Sequence, residues 1–156
     1  KKKLEKKKLE KKSEEELRRL SVELRFLEQT AEAIQSRINM VNAVITDLTY
    51  TSMALDGLEK EKENSELLVP IGGNSYIKAK LENPDKVIVG MGAGISVEKT
   101  LQEAKEIIKK RLENLEKTRM SLQQQLAQVA ERIGEDREKF EKLVAELRGE
   151  KAQQNV

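Results

Sequence analysis

The residues with the strongest chemical suggestion are Gly90, Gly92 and Gly94, set in the stretch VIVGMGAGISVEKT from Val87 to Thr100. An apolar run ending in closely spaced glycines is how a dinucleotide-binding loop begins. The strand turns tightly, backbone amides approach a pyrophosphate, and a helix N-terminus meets the negative charge. That chemistry needs the spacing G-x-G-x-x-G, and here the third glycine comes one residue early. Ile95, Ser96, Val97 and Glu98 then alternate as a strand does, where a binding loop would open its helix. No G-K-[ST] is present to form a P-loop. The glycines are instead suited to supply positive φ where a hairpin reverses.

Other groups able to do chemistry are scarce. The chain has no His and no Cys, which removes the commonest general base, the commonest metal ligand and every thiolate. Carboxylates cluster, as in Glu14 to Glu16, where a charge-dense helix exposes them anyway, and no constellation makes an active site. We therefore expect no catalytic residue, no cofactor and no bound metal. Thirty basic residues nearly cancel 28 acidic ones, so the chain as a whole lacks the strong positive charge that phosphate backbones favour, and no nucleic-acid partner is expected. No run reaches the roughly 18 apolar residues of a membrane span, and the lysine-rich start lacks the apolar core of a signal peptide. These features predict a cytoplasmic protein with no membrane partner.

The elements that position the glycine stretch are two long amphipathic helices. Leu17, Leu20, Leu24, Leu27, Ala31, Ile34, Ile38, Val41, Ile45, Leu48, Ser52 and Leu55 follow one another in alternating steps of three and four, the seam of a coiled coil. Ser13 followed by Glu14, Glu15 and Glu16 predicts a capped helix start, and the helix runs to about Lys62. A second seam passes through Ile108, Leu112, Leu115, Arg119, Leu122, Leu126, Val129, Ile133, Asp136, Phe140, Leu143 and Leu147. Arg119 and Asp136 interrupt it, as polar seam residues that fix register do.

Between the helices the composition changes. LLVPI, SYIKAKL, VIVGM and ISVEK read as short strands separated by the turn material GGN, ENPDK and GAG. Two hairpins follow, Leu67 to Ile71 with Ser75 to Leu81 and Val87 to Met91 with Ile95 to Lys99. The predicted fold class is α+β, a long antiparallel coiled coil with two central β-hairpins. Residues 1–12 are a lysine-rich tail, 13–65 the first helix, 66–99 the hairpins, 100–148 the second helix and 149–156 a further tail.

Hairpins this short are marginal alone, and Ile77, Ala79 and Leu81 line a face with no cover in this chain. We therefore expect the sheet to be completed by another subunit, through Leu67, Val69, Ile71, Ile77, Ala79, Leu81, Val87, Val89, Ile95 and Val97. Tyr50, Met53, Ala54 and Gly57 form a second stripe, expected to pack on the β platform. At the far end of the coiled coil, Leu17, Leu20, Val22, Leu24 and Phe26 with Phe140, Leu143, Val144 and Leu147 include apolar residues with no place in a two-helix seam. These form a candidate patch for exposed apolar segments of other proteins. The lysine run KKKLEKKKLEKK carries no aromatic residue to stack on bases and reads as a solvated, partly helical segment.

The order helix, LLVPIGGNSYIKAKL, ENPDK, VIVGMGAGISVEKT, helix resembles an archaeal prefoldin subunit of the α type, over about Glu14 to Leu147. LVPIGGNSYIKA and VIVGMGAGISVEK resemble the two hairpins that distinguish this class from the single-hairpin β type. The resemblance implies an ATP-independent chaperone in which two α-type and four β-type subunits join by their hairpins into an intersubunit β-barrel platform. It further implies that the coiled-coil tips hold unfolded polypeptides and pass them to a group II chaperonin. Two alternatives stay open: a filament-forming prefoldin-like subunit, and a coiled-coil adaptor that binds one partner helix.

Overall fold

A computed structural model describes residues 1–155. Helix α1 spans Lys2–Leu58, strands β1 Glu66–Gly72, β2 Ser75–Lys80, β3 Lys86–Gly92 and β4 Ile95–Thr100, and helix α2 Leu101–Gln154. Each expected seam position from Leu17 to Leu55 and from Ile108 to Leu147 is buried or half-buried, and the half-buried ones include Arg119. The chain divides into two compact units. One comprises residues up to Met40 with those from Arg119 onward, and the other Val41–Thr118.

In the first unit the seam is centred on Leu20, Ile34 and Ile38 of α1 and Leu122 of α2, all buried. Helix α1 begins at Lys2 rather than at Ser13, so the lysine run is helical. Lys, Glu and Leu all favour helix, and nothing between Lys2 and Ser13 breaks it, so the seam helix propagates outward from its packed turns.

The second unit holds both hairpins. Helix α1 stops at Leu58, short of Lys62, because the last amides turn back in tighter i to i−3 bonds, Lys60 N–H to Gly57 O and Glu61 N–H to Leu58 O. Asn64 then adopts a φ of 65° and its N–H bonds to Leu81 O at 2.7 Å, which starts the first hairpin. At the other side, Thr100 caps α2 by accepting the Glu103 N–H at 3.2 Å, a Thr-x-x-Glu capping arrangement. Asp56 meets Lys105 while Glu59 meets Gln102, so ascending α1 means descending α2, and the helices are antiparallel.

The hairpins are two separate two-stranded antiparallel sheets. They are copies offset by twenty residues: Val69 pairs Ile77 as Val89 pairs Val97, and Gly72 faces Ser75 as Gly92 faces Ile95. Each carries a register shift just before its turn, between Pro70 and Gly72 and between Gly90 and Gly92. Three consecutive positive φ values make each reversal, 99°, 55° and 56° at Gly72, Gly73 and Asn74, and 100°, 51° and 75° at Gly92, Ala93 and Gly94. Positive φ at both central residues is the twist a two-residue hairpin loop needs. Of the glycines of the opening motif, Gly92 and Gly94 therefore turn the strand, while Gly90 lies within β3 opposite Ser96.

Candidate binding surfaces

The second hairpin is seated on its own chain. Val89 joins Leu55 of α1 and Leu101, Ala104 and Ile108 of α2 in one buried cluster, with Val87 packed against its edge. Arg111 fastens the same strand by donating from Nη2 to Gly90 O at 2.7 Å, beside Met91 Sδ at 3.8 Å. Below the seat, Lys105 Nζ bridges Glu59 at 2.6 Å and Asp56 at 3.2 Å. The hydrogen bond from Lys105, with a second from the Gln102 amide, holds the Glu59 carboxyl below its ordinary value. The same contact with Glu59 raises Lys105.

The first hairpin has no such seat. Val69 holds the same register position as Val89, yet is 44% exposed where Val89 is 7% exposed. Ile77, its cross-strand neighbour, is exposed as well, as is Ile71, while Leu67, Ala79 and Leu81 are half-buried. The opposite face adds Leu68 and Tyr76, and on the second hairpin Ile88, all exposed, and Met91, the counterpart of Ile71, is exposed as well. Sequence reasoning missed these four, although a signal was available. Runs such as Leu67-Leu68-Val69 and Val87-Ile88-Val89 are apolar at successive positions, the pattern of strands covered on both faces rather than one.

Two expectations change. Val89 does not offer a free surface, because it is buried against α1 and α2, and Val87 packs on the edge of the same cluster. Ile95 and Val97 remain exposed on β4. The stripe Tyr50, Met53, Ala54 and Gly57 does not pack on the hairpins either, and all four are exposed. The α1 residues that meet β3–β4 are Leu48, Leu55 and Leu58, on the seam side of the helix.

In the coiled-coil unit the expected apolar patch separates into two sets. Leu20 is buried in the seam, and Leu17, Leu24, Phe140, Leu143, Val144 and Leu147 are half-buried beside it. Val22 and Phe26 point outward, each 68% exposed, in a shallow depression shared with Arg18, Arg19 and Glu23. Nearby, Arg132 reaches across to Glu23 Oε1, 2.8 Å from Nη2 and 3.2 Å from Nε, and that hydrogen bonding lowers the Glu23 pKa. Asp136, 1% exposed, lies 3.4 Å from Arg132 Nε, and its side-chain oxygens have no hydrogen-bond partner among the described residues. A buried, poorly satisfied polar group in a seam costs stability and penalises shifted registers. Among the described residues no helix is long and apolar enough to cross a membrane.

Fold and surfaces together define a class: a coiled-coil subunit that carries two equivalent hairpins, one seated on its own helices and one left with open apolar faces. A sequence profile described as prefoldin subunit matches residues 27–146. The α subunit of prefoldin from Methanosarcina barkeri is 38% identical over 108 residues, covering 67% of this chain and 75% of the relative. A putative prefoldin α subunit from Aquifex aeolicus is 34% identical over 139 residues, covering 89% of this chain and 93% of the relative. Among solved structures, the cryo-EM structure of filamentous prefoldin from Methanocaldococcus jannaschii superimposes with a TM-score of 0.63 at 28% identity, covering 72% of this chain and 93% of the other. The chain belongs to the prefoldin family, on its α-type branch. The family is one of non-enzymatic chaperones that form oligomers of prefoldin subunits, and a chaperone-subunit role follows for this chain.

Proposed function

We propose that this chain is the α-type subunit of a cytoplasmic hexamer, two α with four β-type subunits, in which the open faces of β1–β2 are closed by neighbouring hairpins into a β-barrel. The observation that carries this is the exposure of Val69 at the register position whose counterpart Val89 is buried, with Ile71 and Ile77 exposed beside it. A hairpin alone does not hold such a face in water, and two exposed strand edges invite further pairing.

The coiled coil then holds unfolded polypeptides without ATP, through apolar contacts around Val22 and Phe26 on α1 and Phe140, Leu143, Val144 and Leu147 on α2. Several such arms acting together give avidity while each contact stays weak, so a group II chaperonin can take the client by competition. The test is aggregation of a chemically unfolded protein, followed by light scattering, with this chain alone and with a β-type subunit. Slower aggregation in the mixture is expected; no slowing in either sample would end the proposal.

A second reading has one specific observation behind it, the filamentous assembly of the solved relative. On this reading the hairpins of successive copies of this chain join head to tail and do not close. Sedimentation of the purified chain alone separates the two, since a growing ladder of sizes means filaments and one defined species means a closed assembly.

A further inference from the structure

The face of α1 turned away from the seam is not neutral. Leu4, Lys8, Lys11, Glu15, Arg18, Val22 and Phe26 succeed one another in steps of three and four and are all exposed, so they form one continuous strip along a single helix. Arg25 flanks Val22 and Phe26 and is exposed too. The strip joins a cationic half to an apolar half.

The charge is local to this part of the chain. Residues 1–12 carry eight lysines against two glutamates, and without that excess the rest of the chain, formally +2 as a whole, would be net acidic. This run lies outside the family match, which starts at residue 27. It is also helical, so the ammonium groups are held on a rigid element in line with Val22 and Phe26.

We propose that this strip selects unfolded segments in which acidic residues flank an apolar stretch, the apolar part lying on Val22 and Phe26 and the acidic part along Lys8, Lys11 and Arg18. The inference rests on the client-holding reading above and names its substrate class. Charge complementarity picks the occupant. A basic segment meets like charge at Lys8, Lys11 and Arg18, which outnumber the one acidic residue of the strip, Glu15, and a purely apolar one leaves the cationic half unused. A nucleic acid would find phosphate contacts but no aromatic residue on the strip except Phe26 on which to stack bases. A bilayer would need a wide apolar face, which Leu4, Val22 and Phe26 do not make.

The experiment measures binding of three fluorescent peptides to the assembled chain. They share one apolar core and carry acidic, neutral or basic flanks. Exposed ion pairs are individually weak, so a few acting together predict about tenfold tighter binding of the acidic than the basic peptide at low salt. That ratio should shrink as salt shortens the screening length. The triple variant K8E/K11E/R18E should reverse the order of the acidic and basic peptides, with assembly size and helical content as controls. Phe26→Ser should weaken all three. Equal binding of acidic and basic peptides, with the neutral one bound, overturns the selectivity and spares the holding. Failure of every peptide to bind overturns both. A single-stranded oligonucleotide that displaces the acidic peptide at equal concentration makes the strip a general polyanion site and overturns the proposal.

Discussion

The two hairpins share one backbone and differ in what covers them. Register, bulge position and the run of three positive φ values repeat after twenty residues, so local sequence has specified the same object twice. Their fates separate through contacts outside the hairpins. β3–β4 runs straight into α2 through the Thr100 cap, which brings Val89 over Leu55, Ala104 and Ile108. β1–β2 is tied at its base by the backbone bonds between residues 64–65 and Leu81. The second hairpin is a component of the chain's own core, and the first, of equal backbone regularity, is left with open apolar faces.

β3–β4 is the core member and β1–β2 the open one, and substitutions can break the distinction. The largest effect is expected for Val89→Asp, which places a charge among Leu55, Leu101, Ala104 and Ile108. A cost of roughly 3–5 kcal/mol, read as lost amide-exchange protection throughout β3–β4, follows from burying an unpaired carboxylate. Val69→Asp, at the equivalent position, should cost under about 1 kcal/mol in the unassembled chain, as exposed substitutions do. Equal losses at the two positions would dissolve the contrast.

The turns sharpen it on a smaller scale. Ala93 holds a φ of 51° where the first hairpin has Gly73 at 55°. A non-glycine residue there carries about 1 kcal/mol of strain. Ala93→Gly is therefore expected to raise thermal stability slightly and Gly73→Ala to lower the first hairpin's by a similar amount. No atom outside its neighbours lies within 4 Å of a Cβ built at Gly73, so backbone conformation is the only cost. Amide exchange in each hairpin separately checks both.

The smallest effect is electrostatic and belongs to the seated side. Glu59 has a folded pKa below its ordinary 4.5, so its contribution to stability is present above that value and disappears as pH falls through the lower folded one. Lys105 is raised above its ordinary 10.5, so its contribution is present below that value and disappears as pH climbs through the raised one. Glu59→Gln should flatten the acid side of the stability profile near β3–β4, measured by thermal unfolding from pH 3 to 7 on the order of the usual carboxylate range. An unchanged acid limb would remove this pair from the account.

Much of this was legible before any coordinates. The seams were, because period and length leave little freedom to a heptad pattern, and even Arg119 and Asp136 fall where the spacing puts them. The turns were, because Gly-Gly-Asn and Gly-Ala-Gly suit few backbones besides a left-handed reversal. The helical state of the lysine run was not, since Ser13 resembles a cap and propagation from a packed neighbour leaves no local mark. Nor was the seating of Val89, because Val69 and Val89 look alike in sequence and only the entry into α2 separates them. Arg111 gave no signal at all: it lies beside the seam among other charges, and its bond to Gly90 O exists only once the hairpin folds back. The stripe at Tyr50 and Met53 looked like a contact with the hairpins and faces solvent instead.

The central claim is that β1–β2 is finished by another subunit, and Ile77→Asp tests it most directly. The variant and the unaltered chain would each be mixed with a β-type subunit and their masses measured by sedimentation at matched helical content. The account predicts a defined multi-subunit species for the unaltered chain and an unassembled variant with intact helices. Assembly of Ile77→Asp to the same mass as the unaltered chain would contradict it.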